Sequence, residues 1–119
     1  MSEAATRQVM QRYFEALGTS GLEEVVDGAV TWTVMETGRV VAGASEVRRH
    51  LDSLHGAMAD TRTSDLRIAD DAAVLEGDAA APGRPDERIP FCVVYEVRGD
   101  RVCAMRAYGS IESAVLPGG

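Results

Sequence analysis

The segment RIPFCVVYEVRGDRVCAMRAYGS, residues 88–110, decides the fold. Ile89 to Val97 and Arg101 to Tyr108 are rich in β-branched and aromatic residues, and Arg98, Gly99 and Asp100 between them signal a reversal. The segment therefore predicts a hairpin. Its strands are apolar at both parities, with Phe91, Val93, Tyr95 and Val97 against Cys92 and Val94, then Val102 and Ala104 against Cys103, Met105 and Ala107. A strand apolar on both faces is covered on both faces. The hairpin is thus expected at the centre of a sheet whose concave side holds a ligand and whose other side meets helices or a second subunit.

Working outward, the 119 residues predict one domain, 1–119, with a single core. No apolar run approaches membrane-spanning length and no charged-then-apolar leader opens the chain, so a cytoplasmic protein without membrane contact is expected. The net charge of −7 argues against a nucleic-acid partner, because a phosphate backbone calls for a basic surface. Cys92 and Cys103 lie about four residues out of register, roughly 13 Å along a strand. That separation is too long for a disulfide, and two cysteines without a nearby histidine pair make a poor zinc site. They are expected to be small buried thiols.

In chain order, Ser2 and Glu3 open a helix with a stripe of Val9, Met10, Tyr13, Phe14 and Leu17 that ends near Gly18. Leu22 to Val26 predicts a short second helix, and Val30 to Glu36 a strand with Trp32, Val34 and Glu36 on one face. Arg39 to Ala42 is a partner strand or a turn. Val47, Leu51, Leu54 and Met58 mark a third helix flanked by His50 and His55. Strands are expected over Arg62 to Ala69 and Ala72 to Ala80, then a Pro- and Gly-containing loop over Ala81 to Asp86, the hairpin, and an unanchored tail from Pro117. Helices followed by a run of strands give an α+β domain with the helices on one side of a curved sheet.

This order of elements resembles the nuclear-transport-factor-2-like superfamily, in particular its ketosteroid-isomerase and SnoaL-like polyketide-cyclase members. The strings that carry the resemblance are Val9-Met10-Gln11-Arg12-Tyr13 with Ala16-Leu17, then Val30-Thr31-Trp32, then Met105-Arg106-Ala107-Tyr108. The resemblance implies a cone-shaped fold: a curved antiparallel sheet packed against the N-terminal helices and the third helix. It further implies an apolar pocket, a homodimer packed through the sheet, and acid–base chemistry on a small apolar, polyketide- or steroid-like molecule without a metal or organic cofactor.

Carried over residue by residue, Tyr13 matches the isomerase tyrosine that donates to a developing enolate oxygen. The isomerase base falls at Val34 and the second oxyanion donor at Val93, neither of which moves a proton. Where limonene-epoxide hydrolases and many cyclases carry an aspartate in the last strand, this chain has Ala107, which makes an epoxide hydrolase the weakest reading. The implied pocket is lined by Trp32, Val34, Leu51, Val93, Tyr95, Met105 and Ala107. The candidate catalytic residues are Tyr13, Glu36 and His50, the last because an imidazole is the natural proton carrier near neutral pH. Their plain alternatives are a core tyrosine, a solvated strand-end acid and a helix-flank histidine. An isomerase or cyclase is accordingly set against a non-catalytic binding or accessory dimer of the same fold. The hairpin loop adds one more alternative: a two-residue Gly99-Asp100 loop puts Val94 beside Met105, whereas a three-residue bulged loop, which the family pattern favours, puts Val93 and Tyr95 there.

Overall fold

The computed structural model describes residues 2–116; the tail expected from Pro117 lies outside the described residues. Helix α1 spans Glu3–Ala16, and the Ser2 hydroxyl caps it by accepting the Ala5 N–H at 3.1 Å. Thr6, Val9, Met10 and Tyr13 recur at helical spacing and are buried. The Thr6 hydroxyl donates to the Asp70 carbonyl at 2.6 Å, which ties α1 to a distant strand turn. A short helix α2, Leu22–Val25, runs directly into strand β1, Val26–Val34, and β2, Arg39–Ala42, pairs with it as a strand. Helix α3, Ala44–Ala57, buries Val47, Leu51 and Leu54. Strands β3, Ala59–Ile68, β4, Ala72–Ala81, β5, Arg84–Arg98, and β6, Arg101–Tyr108, follow, and a five-residue helix α4, Ile111–Val115, is the last described element. No described helix is long and apolar enough to cross a membrane.

The six strands form one curved sheet in the order β2-β1-β6-β5-β4-β3. Every neighbouring pair is antiparallel except β1 and β6, so the sheet is mixed where a purely antiparallel one was expected. A parallel neighbour requires a long crossover, and α3 with the β3–β5 meander supplies it.

The hairpin combines both loop alternatives. Arg98 pairs with Arg101 around a two-residue loop, with Gly99 at φ 63°, but the ladder then slips between Glu96 and Val97. Val97 faces Val102 and Glu96 faces Ala104, which leaves Cys103 as the extra, bulged residue. Tyr95 consequently lies opposite Met105, and Val93 opposite Ala107. Those residues share the inner face with Trp32 and Val34, and the helices pack on that same face. Of the two covers expected for the outer side, helices or a second subunit, the helices lie instead on the cavity side, as the cone-shaped fold implies. Cys92 and Cys103 are both free thiols.

The end of β1 and the start of β5 depart from expectation for local reasons. Strand β1 stops at Val34 because a turn follows, in which the Thr37 and Gly38 N–H groups donate to the Val34 carbonyl at 3.2 and 2.8 Å. Glu36 therefore sits in the turn, off the Trp32 face. Strand β5 begins at Arg84, inside the expected loop. The β6 ladder ends at Cys92, so residues 84–91 have an open edge where Pro85 and Pro90 need no N–H. Arg88 closes this end by donating to Asp78 Oδ1 and to Asp60 Oδ2, each at 2.7 Å.

Between β6 and α4 the chain turns at Gly109, where φ is 105° and an added Cβ would lie 2.8 Å from the Pro90 carbonyl oxygen. Gly109→Ala is expected to cost about 1–3 kcal/mol, seen as a lowered urea midpoint with an unchanged slope.

Candidate active site

Between the inner sheet face and α1, α3 and α4 lies a cavity of about 190 Å³. All six aromatic residues of the chain, Tyr13, Phe14, Trp32, Phe91, Tyr95 and Tyr108, line it. Its polar groups are few: the Tyr13 and Tyr95 hydroxyls, the Glu112 carboxylate, and Thr61, Thr63 and His55.

Glu112 is the one carboxylate lining this wall, and it is 4% exposed. Helix α4 delivers it because Ile111, one residue earlier, is buried and turns that side of the helix inward. The Trp32 indole Nε1–H donates to Glu112 Oε2 at 2.9 Å, and His50 Nε2 pairs with Oε1. A buried carboxylate needs such partners, since an unpaired charge in an apolar wall is strongly unfavourable. The His50 ring centroid lies 6.0 Å from that of Trp32, so β1, α3 and α4 converge on one acid. A carboxylate has about four lone-pair directions, and two N–H donors leave room for a proton from a bound molecule.

Tyr13 comes from α1 and is 1% exposed. Its ring meets Phe14 and Tyr95 edge-on, with centroids 5.4 and 5.3 Å away. Its hydroxyl donates to Met105 Sδ at 3.3 Å. A thioether is a weak acceptor, so a ligand oxygen in the cavity is a better partner for the same proton. Burial, and then the neighbouring Tyr95, push the Tyr13 phenol well above the usual 10, and burial raises Tyr95 as well. Both stay protonated donors across the neutral range. At the rim, loss of hydration through partial burial outweighs nearby Asp52 and lowers the His55 imidazole below its usual 6.5.

Of the residues expected in the pocket, Trp32, Leu51, Val93, Tyr95 and Ala107 line the cavity with Tyr13. Val34 and Met105 do not: both are buried in the core, and Met105 lies behind the Tyr13 hydroxyl. His50 reaches the cavity through Glu112 rather than directly. Glu36 lies outside it, and its carboxylate accepts from the Ser113 hydroxyl at 2.6 Å. Glu112 is the residue the sequence reading missed. The only signal was an acid beside an apolar Ile111 just past the last strand. Among the described residues no group of three His, Cys, Asp or Glu side chains is placed to hold a metal ion.

No protein-family profile matches the chain, and no curated protein does. Solved structures match over nearly its whole length. A steroid delta-isomerase from Pseudomonas aeruginosa superposes with a TM-score of 0.75 at 15% identity, over 87% of this chain and 78% of that one. A candidate SnoaL-like polyketide cyclase from Jannaschia sp. CCS1 does so with 0.70 at 12%, over 98% and 94%. A nuclear-transport-factor-2-like protein of unknown function from Mesorhizobium loti gives 0.77 at 12%, over 90% and 92%. The chain has the nuclear-transport-factor-2-like fold that these ketosteroid-isomerase-like and SnoaL-like structures share.

Proposed function

We propose that the protein is a small-molecule isomerase or cyclase that moves a proton on a compact apolar carbonyl compound. The observation that carries this reading is a buried carboxylate, Glu112, and a buried phenol, Tyr13, on the walls of one apolar cavity. Glu112 takes a proton from the carbon beside the carbonyl, and the electron pair moves onto the carbonyl oxygen. The Tyr13 O–H donates a hydrogen bond to that oxygen as its charge develops. Protonated Glu112 then returns the proton at another carbon, which completes an isomerisation without net gain or loss of atoms. Trp32 and His50 hold the carboxylate throughout. The fold shared with a steroid delta-isomerase supports this reading. The cavity favours a smaller body than a steroid. At about 190 Å³ it is little larger than the roughly 150 Å³ that encloses benzene, and below the roughly 300–1,000 Å³ of pockets for drug-sized ligands.

The test is the conversion of 3-cyclohexen-1-one to its conjugated isomer, followed by ultraviolet absorbance, with binding followed by fluorescence of the sole tryptophan, Trp32. Tyr13→Phe is expected to lower kcat about a hundredfold, and Glu112→Gln about a hundredfold or more. Binding of the ketone with no isomerisation and no exchange of its α-protons with deuterated water would instead favour the carrier reading.

The raised tyrosine pKa values give a stability prediction. The unfolded chain loses tyrosine protons near pH 10 while folded Tyr13 and Tyr95 keep theirs, so this contribution is complete below pH 10 and is lost as pH rises beyond it. Stability should fall by up to about 1.4 kcal/mol per pH unit for each of the two. Urea midpoints between pH 9 and 11 should fall less steeply in Tyr13→Phe.

On the outer sheet face Val74, Cys92, Val94 and Ala104 remain partly exposed, which supports pairing with a second copy through the sheet. Sedimentation is expected to give twice the chain mass of 12.7 kDa, and Val94→Arg to return it to a single chain.

A further inference from the structure

Glu112 is presented by a short helix whose rotation is set by a few contacts. Helix α4 is five residues long, its N-cap Ser110 makes no side-chain cap, and isolated helices of this length do not persist. Its inward side is anchored by buried Ile111, by Val115 and the C-cap Leu116 packed against the core, and by the contacts of Trp32 and His50 with Glu112. Its outward side has one side-chain tie to the rest of the protein, the Ser113 hydroxyl, whose single proton is shared between Glu36 Oε1 at 2.6 Å and the Ser110 carbonyl at 3.0 Å.

Glu36 is a stationary post for that tie. On one side of it the Met35 N–H donates to the Ala107 carbonyl on β6 at 2.9 Å, and on the other the Thr37 and Gly38 N–H groups close the turn onto Val34. Among the described residues Glu36 has no cationic partner, so its fixed contact is with α4. Ser113 directly follows Glu112, so a restraint on the Ser113 side chain restrains the rotation of α4 about its axis. That rotation sets where the Glu112 oxygens point.

We propose that Glu36 is a positioning residue: through Ser113 it fixes the rotation of α4 and so aims the Glu112 carboxylate at Trp32, His50 and the cavity. Its importance for turnover rests on the reading of Glu112 as the base, whereas its effect on geometry does not. Glu36 lies outside the cavity, and its role is carried entirely by the hydrogen bond it accepts.

The test uses the full chain labelled with nitrogen-15, in which the only indole N–H signal belongs to Trp32 and reports its bond to Glu112. Glu36→Ala and Ser113→Ala are each expected to shift that signal and to speed its exchange with solvent roughly threefold to tenfold, the effect of one lost solvent-facing hydrogen bond. Glu36→Gln, which keeps an acceptor oxygen, should restore the parent signal. With the cyclohexenone, Glu36→Ala should lower kcat with little change in KM. An unchanged indole signal and exchange rate in both alanine variants would overturn the proposal, as would an equal loss in Glu36→Gln. If the parent protein binds the ketone without turning it over, the catalytic reading fails on its own, and the indole measurement still decides the positioning role.

Discussion

Between Glu96 and Val97 the β5–β6 ladder slips by one residue, and the face on which every helix packs follows from that slip. Side chains alternate along a strand, so moving the register by one exchanges the inner and outer sets completely. With Cys103 bulged out, Val93, Tyr95, Met105 and Ala107 all face inward and meet Trp32 across the parallel β1–β6 pair. Without the bulge, Val94 would face Met105 and Val93 would face Arg106, so an arginine would compete for the apolar side. The two-residue loop at Gly99-Asp100 and the bulge thus act together: one reverses the chain tightly and the other restores the parity that the core requires.

The second constraint is electrostatic. A carboxylate at 4% exposure needs fixed donors, and here they come from elements far apart in sequence: Trp32 from β1 and His50 from α3, against Glu112 from α4. Each donor is held by its own packing, Trp32 in the centre of the inner face and His50 beside buried Leu51. The acid is therefore oriented before any ligand enters, which is the condition under which a buried group is most effective on a transferring proton. Tyr13 is prepared differently. Its partner, the Met105 thioether, satisfies it weakly and can be displaced by a ligand oxygen.

Around these two groups the chain places every aromatic residue it has. The rings of Tyr13, Phe14 and Tyr95 contact one another edge-on, which gives the cavity a stiff wall on the α1 side. Gly109 and α4 close the opposite end. The result is a small, mostly apolar cavity with a carboxylate and a few hydroxyls on its walls.

Much of the architecture could be derived from the sequence because it depends on local rules. The Val9-Met10-Tyr13 stripe made a helix, the Val47-Leu51-Leu54 stripe made another, and the β-branched and aromatic runs on either side of Gly99-Asp100 made the hairpin. Tyr13 and most of the pocket wall followed, since inward positions on such elements share one interior. The acid did not follow. Glu112 stands on a five-residue helix too short to show periodicity, and nothing near it in sequence marks it as buried. Glu36, which the strand pattern aimed at the cavity, was turned aside when β1 ended at Val34. The sequence by itself determined most of the helices and strands and the apolar stripes of α1 and α3, because these depend on neighbours within a few residues. Only the tertiary structure decided which carboxylate is buried, because that depends on Trp32 and His50, which lie 80 and 62 residues away along the chain, arriving at the same point in space.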